Sequence, residues 1–301
     1  MFKKVNLILL VLSVLLFVNL GNSQSKYLVE LGNIESIKST VLNEDRAYYV
    51  QLPQNYNDKK KYPVIYVLDG GVLLNAVHLV HDNYYGGFMP EMIIVGVSNA
   101  NNRTRDLTTS KIKERHRMPY NEENGEANKF SKFLINELIP HIENKYPVTN
   151  YRTIIGHSYG GLFAANLLVK HTEVFQNYLL IDPSLDWDNQ KLLKESELEF
   201  NKEKFEGKNI YVSLSGQLHM QNKDITINNV MEDSSEYTLS ARSNIDFYNL
   251  VKSQETIGLN IKWKYYKDDL HGTVPLPSIL DGLKYFFEWY IIENPELFNS
   301  P

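Results

Sequence analysis

Residues 153–161 read Thr-Ile-Ile-Gly-His-Ser-Tyr-Gly-Gly, an apolar run followed by a G-x-S-x-G pattern. Residues 162–168 then place apolar side chains at helical spacing. A strand that turns sharply into a helix around a serine is typical of a nucleophile elbow, in which the residues two before and two after the serine must be nearly bare. Gly156 and Gly160 meet that requirement, so Ser158 is the predicted nucleophile. The alternative is a strand–glycine–helix junction whose serine only caps the helix.

Strand and helix patterns alternate along the rest of the chain. Two runs of alternating apolar and polar residues, 34–42 and 46–52, predict an antiparallel edge pair. Shorter runs rich in Val, Ile and Tyr predict parallel strands covered on both faces, at 63–68, 92–97, 153–155, 178–181, 210–214 and 261–266. Helical patterns lie between these runs. We therefore predict a doubly wound, mostly parallel α/β sheet with helices on both faces, and ligands should bind beyond the carboxyl ends of its strands.

Residues 1–23 have the three parts of a secretory signal peptide. Lys3 and Lys4 precede an apolar run at 7–18, and small residues follow at 21–23. The apolar run is too short to favour a membrane span, although an uncleaved N-terminal anchor is an alternative. The pattern predicts a secreted or periplasmic protein with no stable membrane association after cleavage.

The mature chain, residues 24–301, is expected to form a single domain, because no repeat or linker divides it. It contains no cysteine, which excludes disulfides, a thiolate nucleophile and cysteine metal ligands. The full chain has 31 basic and 36 acidic residues; without Lys3 and Lys4 the balance is 29 against 36, a formal charge of −7. Such a surface does not attract polyanions, so nucleic acid is not an expected partner. The oligomeric state is left open.

A nucleophilic serine needs a general base, and His271 is the best placed of the eight histidines. It follows the last predicted strand and precedes the final helix, where the chain order serine, acid, histidine puts the base. The acid is harder to place, because residues 217–220, which follow the strand at 210–214, contain no carboxylate. Asp233 is the predicted acid, although it also begins a capping-box pattern. The alternatives are a Ser–His dyad or another acid, among Asp224, Glu232, Glu236 and Asp182.

Acyl transfer also needs two backbone N–H groups to hold the oxyanion. One should come from Tyr159, the residue after the predicted nucleophile. The other should come from the loop after the third strand, where residues 69–71 read Asp-Gly-Gly.

Five further motifs carry a resemblance to a known family: Tyr-Val-Leu-Asp-Gly at 66–70, Ile-Val-Gly-Val at 94–97, Arg-Thr-Arg-Asp-Leu-Thr at 103–108, Glu-Leu-Ile-Pro-His-Ile at 137–142 and Asp-Pro-Ser-Leu-Asp-Trp at 182–187. Together with the elbow they resemble the esterase D family of α/β-hydrolases, over about residues 27–290. The resemblance implies an α/β-hydrolase fold with Ser158 as nucleophile and His271 as base. It also implies an oxyanion hole formed by the amides of Gly71 and Tyr159. The family's usual carboxylate directly after the strand at 210–214 is missing here.

These features predict a secreted serine esterase that works through an acyl-enzyme and requires neither metal nor cofactor. We expect its substrates to be ester substituents of polysaccharides or oligosaccharides. A siderophore-ester hydrolase is the first alternative; it would need cationic side chains near the serine, for which Arg103 and Arg105 are weak candidates. The second alternative is a hydrolase fold retained as a catalytically silent binding module.

Overall fold

The computed structural model describes residues 32–99, 101–200, 205–254 and 258–294. The predicted signal peptide at residues 1–23 lies outside these ranges. The chain divides into two units, and of the first, Met1–Gly32, only Gly32 belongs to the described residues. The second unit begins at Asn33 and contains every helix and strand of the described residues.

Eight strands of the described ranges form one sheet. In chain order they are β1 (Asn33–Ser39), β2 (Glu44–Gln51), β3 (Tyr62–Val67), β4 (Ile93–Val97), β5 (Val148–His157), β6 (Asn177–Ile181), β7 (Asn209–Ser215) and β8 (Asn260–Tyr266). Their order in the sheet is β1-β2-β4-β3-β5-β6-β7-β8. β2 is antiparallel to β1 and β4, and the remaining pairs are parallel. The predicted mostly parallel, doubly wound sheet is confirmed.

Helices connect these strands. In chain order they are α1 (Gly70–Tyr84), α2 (Arg103–Leu107), α3 (Ala127–Phe133), α4 (Ile139–Lys145), α5 (Tyr159–Lys170), α6 (Trp187–Glu199), α7 (Leu239–Lys252), α8 (Pro275–Phe286) and α9 (Glu288–Glu293). A π-helical turn, Leu134–Leu138, joins α3 to α4. Glu114–Arg115 and Met118–Pro119 pair as a short hairpin outside the main sheet, called the 114–119 hairpin from here on.

The sheet is buried on both faces, which explains the apolar runs of its central strands. Along β3, Val64 and Tyr66 belong to one core cluster, and Ile65 and Val67 belong to the other. The first cluster contains side chains of α3 to α7, and the second contains side chains of α1 and α8. Because parallel strands end at the same edge, the loops that follow β3, β5, β6 and β8 meet there.

Candidate active site

Ser158 lies at a sharp turn between β5 and α5. Its φ of 59° and ψ of −117° are unusual for a residue with a side chain. A Cβ added at Gly156 would stand 2.1 Å from the Gly160 carbonyl oxygen, and one added at Gly161 would stand 2.8 Å from the Cβ of Pro183. The structure therefore leaves no room for a side chain at Gly156, as the sequence pattern predicts, or at Gly161, whereas a Cβ added at Gly160 would make only ordinary contacts at 3.5 Å.

His271 lies in the loop between β8 and α8, and its partner is Asp182. The Nδ1 atom of His271 is 2.8 Å from Oδ2 of Asp182, which directly follows β6. The Asp182 side chain is 5% exposed, whereas the His271 ring is 42% exposed. A carboxylate that accepts the Nδ1–H bond fixes the orientation of the ring and leaves Nε2 as the nitrogen that can take a proton.

Asp233 does not contact His271, so its predicted pairing with that histidine is wrong. Its Oδ1 accepts a 2.6 Å hydrogen bond from the Ser235 amide and a 3.2 Å bond from Thr238 Oγ1. The bonds from Ser235, above all, hold the pKa of Asp233 below its usual value. Asp233 therefore stabilises a local turn directly before the 3₁₀ turn Glu236–Thr238, whose N-cap residue is Ser235 and not Asp233, so the capping-box alternative is not formed either. Asp182 reaches His271 instead because it directly follows β6, at the edge of the sheet where the loop after β8 also lies, whereas Asp233 lies well beyond the end of β7.

The other carboxylates that the sequence left open lie elsewhere. Glu236 forms an ion pair with Arg117 at 3.0 Å. Asp224 and Glu232 are exposed on the segment between β7 and α7. Directly after β7, where no carboxylate stands, Gln217 Oε1 accepts a 3.3 Å hydrogen bond from the His271 amide.

Ser158, Asp182 and His271 line one cavity of about 980 Å³. The Ser158 hydroxyl lies 3.3 Å from the Ser184 hydroxyl, and the Ser184 amide donates a 3.1 Å hydrogen bond to the Ser158 carbonyl. Sequence reasoning gave Ser184 no role. The only signal for it was its place in the Asp-Pro-Ser motif at 182–184.

The two predicted oxyanion donors stand at neighbouring helix N-termini. Tyr159 begins α5, and Gly71 is the second residue of α1. Arg103 joins the two turns: its guanidinium forms a bidentate bond with Asp69, at 2.9 Å for both Nε–Oδ1 and Nη2–Oδ2, and donates from Nη2 to the His157 carbonyl at 3.3 Å. Exposed backbone N–H groups at helix N-termini are suited to holding an oxyanion.

His157 packs against the ring of His271, with the ring centroids 4.5 Å apart. Burial, together with the nearby His271, lowers the pKa of His157 to about 4. His157 is therefore neutral near pH 7. Its buried Nε2 has no hydrogen-bond partner among the described residues. The position of His157 directly before the nucleophile is the signal that could have placed it here.

Another part of the cavity lining is built around Arg115 of the 114–119 hairpin. Its guanidinium carbon lies 5.4 Å from the centroid of the Tyr159 ring and 5.2 Å from that of the Trp187 ring. Arg115 also donates to the Tyr159 hydroxyl, and at 3.0 Å to Asp186. Stacking and ion pairing together hold this side chain at the cavity wall.

Arg103 and Arg105, the cationic candidates from the sequence, do not line the cavity. Arg103 is paired with Asp69. Arg105 lies 2.6 Å from Glu44 and 2.8 Å from Asp106. Both arginines therefore stabilise the surrounding loops, and the arginines at the cavity are Arg115 and Arg117.

Residues 39–235 match the family model described as "Putative esterase". The chain belongs to this esterase family. Ferri-bacillibactin esterase BesA of Bacillus subtilis is 33% identical over 172 residues, which are 52% of this chain and 60% of BesA. The siderophore enterobactin esterase of Emericella nidulans is 38% identical over 81 residues, 26% of this chain and 27% of that protein. The matches thus span less than two thirds of either relative.

A solved structure of a serine hydrolase is also similar to this chain. An IroE-like serine hydrolase from Shewanella oneidensis superposes with a TM-score of 0.72 and 26% identity, covering 85% of this chain and 80% of that chain. Among the described residues of this chain, no group of three or more His, Asp or Glu side chains could hold a metal ion. No helix in the described ranges has both the length and the apolar character needed to cross a bilayer.

Proposed function

We propose that this chain is a serine esterase that hydrolyses the ester bonds of a siderophore. The observation that carries the esterase proposal is the buried Asp182–His271 pair in the same cavity as the strained Ser158 turn. The siderophore proposal is supported by the names of the relatives, both of which are siderophore esterases.

In the proposed mechanism, His271 takes the proton of Ser158 as the hydroxyl attacks the ester carbonyl. Asp182 holds the His271 ring and stabilises its charged form. The amides of Gly71 and Tyr159 bind the oxyanion. His271 then protonates the leaving alcohol and activates the water that releases the acyl group. The Ser158 hydroxyl, which now faces Ser184, has to turn toward His271 when substrate binds.

The other candidate functions have less support. Ester substituents of polysaccharides, the substrate expected from the sequence, gain no support from the relatives reported above. A catalytically silent binding module would have no need for a serine in a strained conformation next to a buried Asp–His pair.

Hydrolysis of enterobactin tests the proposed function. The purified protein should convert this cyclic triester to its linear products, as followed by liquid chromatography, and Ser158→Ala should abolish the conversion. Asp58→Asn, which changes an exposed carboxylate that does not line the cavity, is the matched control and should keep full activity. If the protein hydrolysed acetylated xylan and left enterobactin intact, its substrates would instead be esters of polysaccharides, as expected from the sequence.

We also propose that the protein is exported, on the support of the sequence pattern at residues 1–23. The mature chain should then begin near Gln24 or Ser25. Intact-mass measurement of the protein from the extracellular or periplasmic fraction tests this proposal. Recovery of the full-length chain from the membrane fraction would favour an uncleaved anchor instead.

A further inference from the structure

Acidic side chains outnumber basic ones around Ser158. A smaller cavity of about 180 Å³ shares the 114–119 hairpin, Asp186 and Glu236 with the main cavity. The basic residues that line the two cavities, with histidines counted as neutral, are Arg115 and Arg117. The acidic residues that line them are Glu114, Asp182, Asp186, Asp188 and Glu236. The main cavity, which contains Ser158, has two positive and three negative groups, a net charge of −1, and the combined lining has two positive and five negative groups, a net charge of −3.

Both arginines form ion pairs with carboxylates of the same lining, the Arg115 pair partly buried and the Arg117 pair 84% and 52% exposed. Arg115 donates to Asp186 at 3.0 Å, and the two side chains are 22% and 9% exposed. Arg117 is 3.0 Å from Glu236. An anionic ligand would have to compete with these carboxylates for each guanidinium, and it would leave the displaced carboxylate without a partner.

Among the described residues, no other lysine or arginine lines the main cavity. Asp182 is paired with His271, which the proposed mechanism needs as a neutral base at the start of the reaction. Lys191, which is 3.9 Å from Asp188, does not line either cavity. The field around Ser158 therefore opposes the entry of negative charge.

The size of the main cavity does not impose the same restriction. Its volume of about 980 Å³ is at the upper end of the usual range for small-molecule sites, roughly 300 to 1,000 Å³. The volume of the cavity therefore does not exclude large esters. Charge is the property by which this lining can discriminate between an uncharged and an anionic form of the same ester.

We infer that this cavity selects uncharged esters over anionic ones. Within the proposed siderophore hydrolysis, on which this inference rests, the protein prefers the iron-free ester to the iron complex. The catechols of an iron-free tris-catecholate are protonated and uncharged at neutral pH, whereas three deprotonated catecholates around iron(III) form a trianionic complex. The same ester bonds are present in both forms, so their relative turnover reports the charge preference.

Two matched substrate pairs test the inference on the full-length protein at low ionic strength. One pair is iron-free and ferric enterobactin; the other is an aryl butyrate and the corresponding aryl hemisuccinate, which differ chiefly by a carboxylate. In each pair, kcat/KM for the uncharged member should be at least about tenfold higher. Added salt should reduce the preference, because it screens partly exposed charges.

A variant at the cavity rim assigns the preference to the lining. Glu236→Gln leaves Arg117 without its carboxylate partner, so it should raise kcat/KM for both anionic substrates and narrow each preference by about threefold or more. Arg117→Gln should increase the ratio of kcat/KM for the uncharged member to that for the anionic member of each pair. Asp58→Asn removes one exposed carboxylate that lines neither cavity, so it should change neither ratio.

The outcomes separate the inference from the proposed function. Equal or faster turnover of the anionic members, or unchanged ratios in Glu236→Gln, would overturn the charge preference. If both forms of enterobactin stay intact while the aryl esters are hydrolysed, the siderophore proposal fails, and the aryl pair alone decides the charge preference. Absence of all ester hydrolysis overturns both.

Discussion

Asp182 and His271 combine one buried and one half-exposed side chain. The carboxylate is removed from solvent, and the ring faces the cavity from the loop before α8. A charge interaction is stronger away from bulk water, so a buried carboxylate stabilises the imidazolium that forms when Ser158 loses its proton. The φ of 40° at Asp182 is a second strained conformation beside the cavity, and such strain persists only where the surrounding structure enforces it.

Replacing Asp182 with Asn tests this assignment. Asp182→Asn should lower kcat by about 10³- to 10⁴-fold, because an amide can no longer stabilise the charged ring or fix its tautomer. Circular dichroism and melting temperature should show that the variant still folds.

Asp233→Asn is the matched control for Asp182→Asn. Asp233 bonds only with its own turn, so kcat should stay within about twofold of the wild-type value. A loss of kcat at Asp233 equal to that at Asp182, or normal turnover in Asp182→Asn, would contradict the assignment.

The sequence predicted Ser158 and His271 but could not identify the acid. Both Asp182 and Asp233 lie between the serine and the histidine, so chain order does not distinguish them. The distinction depends on sheet order, since β6 is next to β5 and carries Asp182 to the elbow. Sheet order is a property of tertiary contacts, which hydrophobic periodicity does not report.

At the scale of the elements, β5 and α5 can approach closely because the glycine at position 156 has no side chain. The Gly156 position has backbone atoms of Gly160 and Gly161 within 3 Å of where a Cβ would stand. Backbone atoms cannot move aside as the end of a flexible side chain can, so the glycine pattern was a reliable sequence signal for this junction.

Gly156→Ala should therefore lower the free energy of unfolding by at least about 3 kcal/mol, because the new Cβ forces β5 and α5 apart. Urea unfolding measures the change. Gly87→Ala is the matched control, since no heavy atom lies within 4 Å of its added Cβ, and its unfolding midpoint should stay close to that of the wild type. Equal midpoints for both variants would contradict the close packing of the elbow.

Helix α1 contains a buried histidine that makes stability depend on pH. His81 is 3% exposed, and its Nε2 lies 3.1 Å from the Met92 amide nitrogen, whose N–H the neutral ring can accept, and 3.2 Å from the Pro90 carbonyl oxygen, to which a protonated Nε2 would donate. Burial lowers the pKa of His81 to about 4, below the value of 6.5 for a free side chain. The native state thus favours the neutral form; this contribution is complete above pH 6.5 and is lost as the pH falls from 6.5 toward 4.

From these values, protonation of His81 accounts for about 3 kcal/mol of the stability lost between pH 7 and pH 4. His81→Gln, which keeps an acceptor for the Met92 amide, should lose less stability over this window than the wild type. Urea unfolding at both pH values gives the comparison. His171→Gln, at a partly exposed histidine, should retain the wild-type pH dependence, and an unchanged dependence in His81→Gln would assign the effect to other groups.

For the whole molecule, the sheet brings together residues that are far apart in sequence. Ser158, Asp182 and His271 follow three different strands whose carboxyl ends share one edge. The sequence predicted this edge as the site because alternating strand and helix patterns specify a parallel sheet. It did not predict the cavity walls, since the 114–119 hairpin and the segment between β7 and α7 have no periodic pattern that would place them.

Labelling with a fluorophosphonate tests the central claim, that Ser158 is an activated nucleophile, most directly. The reagent forms a covalent bond with a serine only when a base and an oxyanion site activate its hydroxyl. Intact-mass and peptide analysis should find one adduct, on Ser158, in the wild-type protein and none in Ser158→Ala. An unlabelled wild-type protein, or an adduct that persists in Ser158→Ala, would contradict the assignment of this site as a serine esterase.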